Sequence, residues 1–473
     1  MTRRISTLSL TFVVIALFIS APEVSSNFFK NLAKRVKGEK TDEEGGSGGD
    51  GSNDDYNQLV IDQGIPMIIL SNEKPLPLVG LGVGNLQHYM VPLMIAGAMQ
   101  DDKRTRLFDT SHISDNEHLL AEGINQGIER LDNSEQKLTI HVITKVWYTY
   151  LGYERTKISV KESFDSLKEA TANTKIDLKV HILLHWPRCY DNISWMSCED
   201  DEARMPEHIR NAGPPPHLDK NNAWKGSWKA LEEAYNSKEV AIESIGVANF
   251  HLKDMEDLKQ FAIVQPHILQ INVWSLLYDP LLIDYCHKHK VHVQVYNVMN
   301  GILTDPDKAP NAFHHLQKVG SDLSDDLPEE VSPAQVVLAW LMQHGVSVVP
   351  RTSRLSRLQE NSAMALVAVP ELDDSQVETV AHAVEAFLSG DDLEEDIHVK
   401  VTFHAATKDT FLYWNRHDGG EVKVAFIPKG ESFNETTYPN HSFRLYDARN
   451  KDHFIEYKVG AKFGEHEHVH AEL

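Results

Sequence analysis

The chain has 473 residues with 46 basic and 69 acidic side chains, a net charge of -23 that repels nucleic acid and anionic membrane surfaces. Its length exceeds one ordinary domain, and three cysteines are too few for a disulfide scaffold. No nucleic-acid partner is expected.

In chain order, Met1-Thr2-Arg3-Arg4 is followed by an apolar stretch from Leu8 to Ala21 and by the small residues Val24-Ser25-Ser26. This pattern predicts a signal peptide over residues 1–26. Its apolar core is shorter than the roughly 20 residues that a membrane-spanning helix needs, so no stable span is expected. Sequons at Asn192, Asn434 and Asn440 and the terminal His470-Ala471-Glu472-Leu473 fit a secretory-pathway protein, in the endoplasmic reticulum lumen or secreted. Residues 27–55 run from a basic stretch into glycine, serine and acidic residues, and are expected to be a flexible linker.

From 56 to 388, short β-branched runs alternate with amphipathic helical segments, the signature of repeated βα units. Eight strands are predicted at Leu78–Gly82, Arg106–Asp109, Thr139–Thr144, Lys179–Leu184, Ile242–Val247, Ile268–Ile271, Val291–Tyr296 and Val346–Pro350. Helices are expected at Glu117–Arg130, Ala223–Tyr235, Leu281–Lys288 and Pro333–Gln343. The fold class is α/β, a (β/α)8 TIM barrel, with the active site at the carboxyl ends of the strands. Asp109, Lys145, His185, Asn249, Gln270, Tyr296 and Arg351 fall at those ends, a polar set that packing alone would not select. Cys189 and Cys198 share a loop and either pair in an oxidising compartment or stay free, whereas Cys286 reads as a buried thiol.

An acidic linker from Ser389 to Asp396 precedes a change to period-two alternation at Ile397, Val399, Val401 and Phe403. Further strands at Thr410–Trp414, Glu421–Ile427, Ser442–Tyr446 and Phe454–Val459, with a turn at Asp418-Gly419-Gly420, predict a small all-β sandwich over 397–460. Residues 461–473 read as a polar, His-rich tail. His466, His468 and His470 would share one face if that tail were extended, but no metal site is assigned.

Six separated motifs carry a resemblance over residues 58–380. They are Gly80-Leu81-Gly82, Asp109 with Glu117, Thr144-Lys145-Val146-Trp147, Leu184-His185-Trp186-Pro187, Ile245-Gly246-Val247-Ala248-Asn249-Phe250, and Pro350-Arg351-Thr352 with Arg357-Leu358-Gln359-Glu360-Asn361. In this order they resemble the aldo-keto reductase family. The resemblance implies an NADPH-dependent oxidoreductase acting on a small-molecule carbonyl substrate: hydride passes from the nicotinamide while an acid protonates the oxygen. Asp109, Lys145 and His185 match three of the family's four catalytic positions, and Ser114 stands where the fourth, a tyrosine, is expected. Asn249, Gln270 and Tyr296 match nicotinamide contacts, and Arg351, Thr352, Arg357, Glu360 and Asn361 match the adenosine end, its 2′-phosphate falling to the two arginines.

A serine hydroxyl is shorter than a tyrosine's and a far weaker acid. Ser114-Asp115-Asn116-Glu117 also has the form of a capping box, which would turn the serine towards the helix. His112 is the titratable substitute nearby. Ala248 and the segment Asn297-Val298-Met299-Asn300-Gly301 depart from the family's pattern. Three readings follow: an active reductase with an altered acid, a catalytically impaired nucleotide-binding barrel, or an adaptor. The last rests on residues 410–459, where Tyr413-Trp414-Asn415, Ile427-Pro428-Lys429-Gly430, Thr437-Tyr438-Pro439-Asn440-His441-Ser442-Phe443 and Asp447-Ala448 resemble the von Hippel-Lindau β domain. That resemblance implies a protein or peptide partner, with Thr437, His441, Tyr413 and Phe443 near the recognition positions and Val424 replacing an expected tyrosine.

Overall fold

The computed structural model describes residues 59–62, 64–100, 102–131, 137–237, 241–299, 305–324, 327, 329–393, 399–415, 420–438, 441–460 and 466–471. The expected signal peptide and linker, the sequon at Asn440, the Asp418-Gly419 turn and the last two residues of the terminal tetrapeptide lie outside these.

The eight barrel strands are β4 (Leu81–Gly82), β5 (Leu107–Asp109), β6 (Leu138–Val146), β7 (Ile176–Leu184), β8 (Ile242–Ala248), β9 (Ile268–Asn272), β10 (His292–Tyr296) and β11 (Ser347–Val348), hydrogen-bonded in that sequential order and all parallel. Closure comes from residues just outside the first strand. Val348 N donates to Leu78 O at 2.8 Å and Gly80 N to Val348 O at 2.9 Å, with Val79 bridging Val348 in parallel. The strands are Val-, Ile- and Leu-rich because both of their faces are covered. Gly246 is needed at the β8–β9 contact, where an added Cβ would lie 2.4 Å from Ile268 O.

Surrounding helices bury apolar stripes at helical spacing. In Glu117–Arg130 the buried set includes Leu120, Ala121, Ile124 and Ile128. Ser332 and Asp373 begin helices with capping boxes to Gln335 and Gln376. The capping box expected at Ser114 does not form: Asp115 takes a left-handed conformation, Asn116 is the N-cap, and Glu117 instead accepts from Thr144 Oγ1. A three-stranded antiparallel sheet of β1 (Leu59–Asp62), β2 (Ile65–Ile69) and β3 (Pro75–Pro77), which periodicity did not announce, precedes the barrel.

A second polar layer lies within the barrel nearer the amino ends of the strands. His141 Nδ1 is 3.0 Å from His181 Nε2, His181 Nδ1 is 2.7 Å from Ser244 Oγ, and His292 Nε2 is 2.6 Å from Ser347 Oγ. His141 and His181 precede Lys145 and His185 by four residues, so they face the same side of their strands. His267 adds a bond from Nδ1 to the backbone of Ile245 at 3.1 Å.

The C-terminal region is all-β, in two sheets. One has the order β15 (Ser432–Thr437), β12 (Val399–Ala405), β18 (His466–Ala471); the other is β14 (Glu421–Ile427), β13 (Thr410–Asn415), β16 (Ser442–Asp447), β17 (Asn450–Lys458). Val401, Phe403, Leu412, Ile427, Phe443 and Leu445 form their common core. Two expectations need correction. Residues 466–471 are not tail but strand β18, paired in parallel with β12, because Val469 and Ala471 supply apolar positions to this core. The Ser389–Asp396 segment does not run free through its first residues: Asp392 accepts from the backbone N–H groups of Asn311 and Ala312, both at 3.0 Å, at the start of helix Pro310–Leu323. Across the same region Tyr438 stacks on His314 and donates to Asn311 Oδ1 at 3.3 Å.

Candidate active site

The strand ends are held together where sheet hydrogen bonding continues one residue past β5, β7 and β8. Thr110 N bonds Ile143 O, His185 N bonds Val146 O and Asn249 N bonds Gln270 O, at 2.9, 2.9 and 3.0 Å. At the centre Lys145 Nζ donates to Asp109 Oδ1 at 2.6 Å and to Thr110 O at 2.8 Å. Asp109 and Lys145 are both buried, so each charge depends on the other for compensation. Gln270 Nε2 donates to the same Asp109 oxygen and to Gln294 Oε1, both at 2.8 Å. Its amide protons therefore brace the aspartate from the barrel interior, a contact that the strand-end position did not foretell.

The His185 ring lies edge-on to Trp147 with centroids 4.8 Å apart, and burial followed by the nearby Lys145 charge holds its pKa well below the ordinary imidazole range. His185 is therefore neutral. Its Nδ1 is buried with no partner among the described residues. Asn249 stands at a left-handed φ of 58°, which asparagine tolerates, and its side chain donates to His185 O at 2.9 Å. Tyr296 in turn donates to Asn249 Oδ1 at 2.6 Å, and burial pushes its phenol up to about 12.

Ser114 sits on the rim of this group. Its Oγ is 2.7 Å from Ser111 Oγ, the two hydroxyls sharing one hydrogen bond in the loop, and it crowds Gly84, where an added Cβ would be 3.1 Å away. His112 is turned elsewhere: Nε2 lies 2.8 Å from Glu162 Oε2 and the ring packs edge-on against Tyr150.

Arg351 is exposed and Arg357 half-exposed, and among the described residues no carboxylate pairs with either. Thr352 is buried and makes a tight turn in which its Oγ1 accepts from Arg354 N at 3.1 Å, while Glu360 and Asn361 close the short helix Ser356–Glu360. The turn brings Arg354, which motif matching passed over, into the same segment. Three unpaired guanidinium groups on a chain of net charge -23 fit a phosphorylated ligand.

The loop between β7 and β8 covers the site. Cys189 and Cys198 are disulfide-bonded, which decides between the two states the sequence allowed, and Cys286 is a free buried thiol. The loop is pinned further by the buried Arg155–Glu202 pair at 2.8 Å, by Tyr148 to Asp201 and by Arg188 to Asp254. It carries Trp186 and Trp195, which pack on each other at 5.7 Å, and Trp195 stacks on Trp147 at 6.0 Å.

Residues 100–385, more than half of the chain, match the model of the aldo/keto reductase family. The chain belongs to the aldo-keto reductases. Among curated members of that family, it is 28% identical over 260 residues to an uncharacterised oxidoreductase of Bacillus subtilis, covering 55% of this chain and 73% of the relative. It is 27% identical to the 9,11-endoperoxide prostaglandin H2 reductase of Trypanosoma cruzi, covering 62% and 84%. It is 26% identical to the NADPH-dependent aldose reductase of Saccharomyces cerevisiae, covering 62% and 86%. The structure of the Bombyx mori aldo-keto reductase in complex with NADP superposes with a TM-score of 0.50 at 20% identity, over 67% of this chain and 92% of that one. That likeness shows the fold. Among the described residues no helix is long and apolar enough to cross a membrane.

Proposed function

We propose that the chain is an NADPH-dependent oxidoreductase that reduces carbonyl compounds, with Lys145 taking over the proton donation that a tyrosine performs elsewhere in the family. The buried Asp109–Lys145 pair carries this reading. The nucleotide supplies a hydride to the carbonyl carbon. Asn249 and Tyr296 are suited to the nicotinamide, and Arg351, Arg354 and Arg357, with Thr352, Glu360 and Asn361, to the adenosine 2′-phosphate end. Gln270 supports the same region through Asp109 rather than by offering its own amide protons.

Lys145 Nζ carries three protons, of which Asp109 and Thr110 O accept two. The third is free to pass to the carbonyl oxygen, directly or relayed through a water in the space that a phenol would fill, and the amine regains a proton from solvent. Neutral His185 orients the oxygen by hydrogen bonding. Ser114 is hydrogen-bonded to Ser111 within its loop and takes no part. Turnover in this arrangement is slow.

Position 114 also favours a second reading, a barrel that binds the nucleotide and turns nothing over. Titration with NADPH followed by tryptophan quenching, together with aldehyde turnover, separates the two. Saturable binding is expected in both the wild type and Lys145→Met, with turnover only in the wild type. Turnover that survives Lys145→Met would remove the proposed role, and binding without any turnover would establish the second reading.

A peptide partner for the β region rests only on the motif resemblance of residues 410–459 to the von Hippel-Lindau β domain, and the residues concerned are engaged here. Thr437 Oγ1 is 3.0 Å from His441 Nδ1, and Phe443 is in the core. The Cys189–Cys198 bond supports a location in the secretory pathway.

A further inference from the structure

Strand β18 lies alongside β12 in parallel, with Thr402 opposite His468 and His404 opposite His470. The two-residue period of a strand sends His466, His468 and His470 to the outer face, away from the core that Val469 and Ala471 join. His404 comes from β12 to the same face. Four imidazoles therefore share a solvent-facing patch that the fold, not the tail alone, assembles.

Their spacing is informative. His404 Nε2 lies 3.1 Å from His468 Nδ1. Two imidazole nitrogens bound to one ion at 2.0–2.1 Å, at a cis angle between about 90° and 109°, are separated by roughly 2.9–3.4 Å. The pair thus already has the spacing of adjacent ligands, with a proton in the place of the ion. The other nitrogen of His404, Nδ1, is 2.5 Å from Ser432 Oγ, the kind of outer hydrogen bond that fixes a ligating ring. The His470 ring is stacked on His404 with centroids 4.5 Å apart. His466 is committed differently: its Nε2 is 2.7 Å from Thr402 Oγ1, whose own proton goes to Asn434 Oδ1, so that nitrogen carries a proton and has no free lone pair.

We infer that the outer face of the β12–β18 pair binds a divalent transition-metal ion of the imidazole-preferring class, with His404 and His468 as adjacent ligands and His470 as the third. Among the described residues no three donors converge as they stand. The site closes when the exposed His470 ring rotates, a motion open to a surface side chain on the picosecond to nanosecond scale. Metal entry moves the shared proton to the other nitrogen of whichever ring carries it, His404 Nδ1 or His468 Nε2, so a neutral pair loses no proton.

Calorimetric titration of the chelator-treated full chain with ZnCl2, and separately with CuSO4, tests this. One equivalent is expected to bind with a roughly micromolar Kd. His404→Ala and His468→Ala each should weaken it at least about tenfold, while His466→Ala and the surface control His118→Ala should leave it within about threefold. On the wild-type protein zinc should shift the ring 15N resonances of His404, His468 and His470, a readout independent of how well any variant folds. Absence of saturable binding, binding untouched by His404→Ala and His468→Ala, or shifts at a different set of histidines overturns the assignment.

Discussion

The barrel interior buries polar groups at both ends of its strands, and it does so in opposite ways. At the carboxyl ends, Asp109 and Lys145 stay as an ion pair 2.6 Å apart, with Gln270 and Thr110 O completing their bonds. Near the amino ends His141, His181 and His292 lie deep among Ser244 and Ser347, and there burial, the largest cause, lowers their pKa values. His141 and His292 fall to about 3 and His267 to about 4, while His181 goes well below the ordinary range. One layer keeps charge by pairing it; the other abolishes charge. The lesson is that a closed barrel tolerates a polar core on either condition, but only the paired layer retains a mobile proton for chemistry.

Changing the charged layer should have the largest effect. Ser114→Tyr restores a phenol beside an intact Asp109–Lys145 pair, and carbonyl reduction should rise by roughly 10² to 10⁴, the contribution of a placed general acid. No gain in steady-state rate despite bound NADPH would mean that the pocket around position 114 has been remodelled, so that a phenol there no longer meets the charged layer.

Next comes acid sensitivity of the neutral layer. These histidines bind fewer protons folded than unfolded, so their full stability is present above the unfolded pKa of 6.5 and is lost as pH falls from there towards 3. A group moved from 6.5 to about 3 forfeits on the order of 4 kcal/mol across that window. Urea unfolding between pH 7 and 4 should show the decline, and His292→Gln should reduce its slope by about one proton. A pH-independent profile would show that the layer is not held neutral.

Opening the loop over the mouth should act on one layer alone. Replacing both Cys189 and Cys198 with serine removes a loop-closure constraint of about 2 to 3 kcal/mol. It should raise the KM for carbonyl substrates and leave the acid profile untouched. Equal effects on both readouts would join the layers into one unit. Smallest is the rim: Arg351→Ala should weaken NADPH by about tenfold, with NADH unchanged, in the quenching titration. Loss of both nucleotides alike would place Arg351 away from the 2′-phosphate.

All eight barrel strands were legible because β-branched runs and strand-end polar residues recur at regular intervals, and the short β4 and β11 differ from expectation only in where pairing ends. The antiparallel strands β1–β3 were not, since Pro66, Pro75 and Pro77 punctuate them and turn residues mask the alternation. Strand β18 was missed because alternating His and Glu looks solvated until Val469 and Ala471 meet the β12 core. At the site, sequence motifs picked out the residues that meet at the mouth but could not see that Gln270 spends its protons on Asp109, or that Ser114 turns to Ser111 instead of capping Glu117. Both depend on neighbours 161 and 3 residues away whose side-chain directions only packing sets.

The indole of Trp195 packs on those of Trp147 and Trp186, and Trp147 lies against His185. Rings held at such short separations couple their electronic transitions, so the mouth carries its own optical label. Near-ultraviolet circular dichroism of the untouched protein should contain a coupled indole signal that follows the state of the covering loop. Any compound that parts Trp195 from Trp147 would then announce its arrival as a change in ellipticity, without a chromophore of its own.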